Sequence, residues 1–168
     1  TLGRTLDVQS VENQRRIALG SDSALTAQGD LLDEIRYAGR GMGINPERIY
    51  SMVSDLSADV LRLRDGEGTL GEGGRADLIA FKDEGKSPAE TLVGARFDQV
   101  ELSIQDGEPK LFSTEIAGRC PKEFLTGFQP LTVQETRRLV RAPAEWLLAT
   151  TRNHLGPKFF LAGREVGL

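Results

Sequence analysis

The 168-residue chain carries 21 Lys plus Arg against 25 Asp plus Glu, a formal charge of −4, with 39% hydrophobic residues, one His and one Cys. That length and apolar content can bury about 70% of the unfolded surface in a proper core, whereas mild acidity without a Lys/Arg-rich run leaves no footprint for phosphate backbones, so no nucleic-acid partner is expected. Cys120 alone permits no internal disulfide, no secretory n-region is present, and the longest apolar runs fall far below the ~20 residues of a membrane span, so the expected setting is cytoplasmic, without a membrane partner.

In chain order, a start at Thr1 rather than Met points to a processed or excised segment. Arg16 to Gly20 (RIALG) is a brief apolar run ending at glycine and predicts a buried strand opening onto the polar loop Ser21-Asp22-Ser23. From Gly29 the period changes: Leu31, Ile35 and Ala38 fall a turn apart behind Asp30, Asp33 and Glu34, which predicts a helix over about 29–40. Asn45 before Pro46 supplies a cap, and Ile49, Met52, Val53, Leu56 and Val60 predict a second helix over 46–62.

Between Asp65 and Gly74 stand five glycines in ten residues, the clearest boundary in the chain. It divides an N-terminal part, 1–64, from a β-rich composite part, 65–168. Ala76 to Phe81 reads as a strand, and Ser87-Pro88-Ala89-Glu90 as a capping box opening a short helix. Val100, Leu102 and Ile104 alternate with polar residues ahead of Asp106-Gly107, a two-residue hairpin turn, and Pro109 places its strand at an edge or a bulge. Phe128 to Val133 and Arg137 to Val140 carry shorter strand signals. A helix over about 143–155 is stopped by Gly156-Pro157, and Lys158 to Ala162 closes the chain as a strand.

One His and one Cys are too few for a zinc site built by this chain alone. His154, near the end of the last predicted helix, suits carbonyl capping better than catalysis, and Cys120 reads as an ordinary thiol. Gly66, Gly68 and Gly71 match GxGxxG, yet they follow a helix and precede a strand, the reverse of a dinucleotide site, and Asp65, Glu67 and Glu72 would repel a pyrophosphate. Trp146 reads as a core or interface residue. Asp22 stands apart, as a carboxylate just past the end of a buried strand, where α/β enzymes keep catalytic groups; a turn or cap is its plainer reading.

The run RIALGSDSALTAQGDLLDEIRYA (Arg16 to Ala38) resembles the last barrel strand and following helix of the amidohydrolase superfamily. PERIYSMV from Pro46 and GTLGEGGRADLIAF (Gly68 to Phe81) resemble the segments that return such chains to a small β-sandwich, and LAGREV (Leu161 to Val166) resembles a later strand. The resemblance implies an α/β fold: the last β/α unit of an incomplete TIM barrel plus a small β-sandwich-like domain with added helices. It makes Asp22 a metal ligand and catalytic carboxylate that exchanges a proton with the attacking water, with Ser21 and Ser23 orienting it.

By the same resemblance, zinc or another divalent metal would serve the complete enzyme, a metal-dependent hydrolase of C–N bonds in small amide, amidine or amino-purine substrates. The superfamily's His-x-His and its ligands from the middle strands have no counterpart here, and a full barrel needs ~250 residues. The chain is thus expected to be the C-terminal part of a larger hydrolase, to bind no metal and be inactive alone, and to self-associate through the edge its missing neighbours leave. The rival reading is a non-catalytic β-rich interaction or oligomerisation module descended from the same hydrolases.

Overall fold

A computed structural model describes residues 7–21 and 29–168. Both helices and strands are present, so the chain is of the mixed α and β class. It divides into two compact units, Thr1–Ala76 with Asp83–Phe97, and Asp77–Lys82 with Asp98–Leu168. Among the described residues no helix is long and apolar enough to cross a membrane.

The first unit is helical. Helix α1 (Val8–Asn13) is capped by Asp7, whose carboxylate accepts the Ser10 N–H at 2.8 Å and draws the Ser10 hydroxyl as well. These bonds from the Ser10 side chain and backbone hold the Asp7 carboxyl below its ordinary value.

Helix α2 (Leu31–Arg36) starts in a capping box. The Asp30 side chain accepts the Leu32 and Asp33 N–H groups, and Asp33 accepts the Asp30 N–H at 2.8 Å. The helix then widens into a π turn over Tyr37–Gly41, where Met42 N–H reaches back five residues to the Tyr37 carbonyl at 3.0 Å. Helix α3 (Pro46–Met52) opens on the Asn45 cap and Pro46, as the sequence predicts.

The predicted 46–62 helix is two helices, α3 and α4 (Asp55–Leu61). Local competition for one carbonyl accounts for the break: Met52 C=O accepts the Leu19 N–H at 3.0 Å and the Ser57 hydroxyl at 2.6 Å. Ser54 turns its own hydroxyl back onto Tyr50 C=O at 2.7 Å, a habit that bends helices.

The predicted strand at Arg16–Gly20 is a second correction: the segment lies in no strand ladder. Its alternation is real, with Ile17 and Leu19 half-buried and Ala18 and Gly20 outward. The apolar pair packs against helices, on a core of Val11, Ile35, Ala38, Ile44, Ile49, Met52 and Val93. An alternating run satisfies such a surface as well as it satisfies a sheet. Helix α5 (Pro88–Gly94), with the predicted Ser87/Glu90 capping box, contributes Val93 to that core.

The glycine-rich stretch is a loop closed on itself by Arg75 N–H donating to Asp65 C=O at 2.7 Å.

The second unit is one antiparallel seven-stranded sheet, in the order β1-β2-β3-β5-β4-β7-β6. Its strands are β1 (Leu78–Phe81), β2 (Val100–Gln105), β3 (Glu108–Ser113), β4 (Gln129–Val133), β5 (Thr136–Val140), β6 (Phe160–Leu161) and β7 (Arg164–Gly167). The small sandwich expected from the sequence is therefore replaced by a continuous sheet, because β3 pairs laterally with β5 and joins the hairpins edge to edge. Asp106 and Gly107 turn the first hairpin with φ of 53° and 72°, as their sequence predicts. Pro109 lies opposite Ile104, where the β2–β3 register shifts, and outside the three pairs that join β3 to β5.

Helix α6 (Thr114–Arg119) follows β3, and α7 (Ala144–Leu155) follows β5, spanning the range predicted for it. Leu148 of α7 packs with Leu131, Phe159 and Val166 from the sheet and its flank.

Candidate functional site

Asp22 and Ser23 lie outside the described residues, so the carboxylate assigned to metal binding has no described partner set. Ser21 is described and exposed. In the described residues before and after Asp22 and Ser23, Leu19 N–H donates to Met52 C=O, and the Asp30/Asp33 box caps α2.

Among the described residues, no three His, Cys, Asp or Glu side chains converge on a point that could hold an ion.

The other residues weighed from the sequence fall into structural roles. His154 is exposed on the last turn of α7, its Nδ1 2.8 Å from the carbonyl of Thr150 one turn back in the same helix. Cys120 is half-buried as the C-cap of α6. Gly66 and Gly68 have φ of 87° and 79° in the self-closed loop, and a Cβ on Gly68 would lie 2.5 Å from the Ser54 carbonyl oxygen. Glu67 binds its own backbone N–H and that of Asp65, with Arg75 at 3.6 Å, which together lower its carboxyl pKa. Gly66 and Gly68 meet only backbone atoms, consistent with a connection rather than a phosphate cradle. Trp146 is 64% exposed on α7, so it is not a core residue.

A buried polar cluster on β5 was not legible in any motif. Arg138 on β5 is buried, on the same face as Val140, and Leu131 and Ser113 are its neighbours across the ladders. Its guanidinium donates to three backbone carbonyls: Nε to Val100 at 2.9 Å, one terminal nitrogen to Asp98 at 2.8 Å, the other to Arg137 at 2.9 Å. Burial lowers its pKa, and Glu101 and Asp98 act in the opposite sense.

Beside it, the buried Ser113 donates its hydroxyl proton to Glu101 and accepts the Ile116 N–H at 3.1 Å, capping α6. A serine whose proton is committed to a carboxylate and whose lone pair holds a helix end serves structure, and no histidine stands near it in sequence to act as a base. The available signal was the alternation in TRRLV, which puts Arg138 on the face of Val140 once β5 is placed.

Comparison with protein-family models, with curated proteins and with solved structures returns no match.

Proposed function

We propose that this chain is the C-terminal portion of a metal-dependent amidohydrolase acting on C–N bonds of a small amide- or amidine-type substrate. Residues 1–64 would be the end of its barrel, and the seven-stranded sheet its accessory β domain. The observation that carries the reading is the order of two separated motifs, the Gly-Ser-Asp-Ser run leading into LLDEIR and the later GTLGEGGRADLIAF. In keeping with that order, LLDEIR is a capped helix and LIAF is the strand that begins the sheet.

In this reading Asp22 supplies one carboxylate to a zinc or similar divalent site whose other ligands come from chain upstream, with Ser21 and Ser23 holding it in position. The reading also keeps the protein cytoplasmic, without nucleic-acid or membrane partners, and leaves the present chain inactive and self-associating.

A second reading, a non-catalytic interaction or oligomerisation module, is favoured by one observation. The segment that would lie among barrel strands, Arg16–Gly20, packs instead on helices, with Leu19 bonded to Met52.

The test is the upstream coding sequence followed by metal analysis of the longer protein. The hydrolase reading expects a His-x-His motif about 300 residues before Asp22, an estimate from barrel length. It also expects stoichiometric metal that is lost on Asp22→Asn, while the 168-residue chain binds none. A start codon directly before Thr1, or metal retained in full by the Asp22→Asn protein, overturns it in favour of the module.

A further inference from the structure

We draw no further inference here: the strongest candidate, the exposed apolar surface of Trp146 and Leu147 on α7 with Phe160 and Leu161 on the edge strand β6, carries nothing because nothing in the structure shows what covers it.

Discussion

Gly39 and Val93 meet so closely that a Cβ built on the glycine would lie 2.3 Å from the valine Cγ1, with Ile49 Cδ1 at 3.4 Å. The contact sits where the π turn after α2 faces α5, inside the core of the first unit. Gly39→Ala therefore forces α5 outward or Val93 off its rotamer. Overpacking of this kind costs about 1–3 kcal/mol, more than the ~1 kcal/mol that alanine recovers in helix propensity. A lower urea midpoint is expected, partly restored in the Gly39→Ala/Val93→Ala double variant. A single variant as stable as the parent would show that the two elements separate freely.

Gly118 gives the opposite result for the same substitution. It lies inside α6 with nothing within 4 Å of the point a Cβ would occupy, and its side faces solvent. Gly118→Ala removes backbone freedom from the unfolded chain and meets no neighbour, so it stabilises by about 0.5–1 kcal/mol. Thermal unfolding at fixed pH reads this as a raised midpoint; a fall would mean that α6 does not persist in solution.

What the sequence made legible was whatever a short window contains. Asn45 and Ser87 cap where their side chains predict, and Asp106-Gly107 turns a hairpin because only such residues take two successive positive φ angles cheaply. The β4–β5 turn at Gln134 and the β6–β7 turn at Ala162 also need positive φ, 54° and 50°, yet their residue types advertise it poorly. The break after Met52 was invisible because a distant donor, Leu19, helps take the carbonyl out of the helix. Arg16–Gly20 misled for a related reason: alternation reports a buried side, and only the tertiary partner decides whether that partner is sheet or helix. Of the site residues, Ser21 alone falls within the described chain, and the Arg138 cluster depends on pairings between strands far apart in sequence.

The capping box of α5 makes a pH prediction. The Glu90 carboxyl is held below its ordinary value of 4.5, first by the Ser87 backbone N–H and then by the Ser87 hydroxyl. Because the folded value is depressed, the charged cap stabilises fully above the unfolded carboxylate pKa, and the gain is lost as pH falls through the lower, folded value. Glu90→Gln keeps a hydrogen-bonding cap without the charge. Its urea midpoint should lie below that of the parent at pH 7, with the gap closing as pH falls below the ordinary carboxylate value. A gap that stays constant across that range would place the carboxylate outside the box.

Arg138 and Ser113 face each other across the β3–β5 ladder, and among the described residues they are the buried polar side chains of the second unit. Arg138→Met fits the space yet strips the side-chain donors from the Val100 and Asp98 carbonyls inside the sheet, at a cost of about 2–3 kcal/mol. Arg138→Lys keeps the charge but cannot span both carbonyls with one planar fork, so it should fall between the parent and the methionine variant. Ser113→Ala loses the α6 cap and the bond to Glu101, for about 1–2 kcal/mol. Arg137→Met, one residue away on the exposed face, controls for charge and should change stability by less than about 0.5 kcal/mol. Denaturant unfolding of the four variants would settle the order. If Arg138→Met and Arg137→Met proved equal, the buried guanidinium would not be holding the strands and the loop before β2 together.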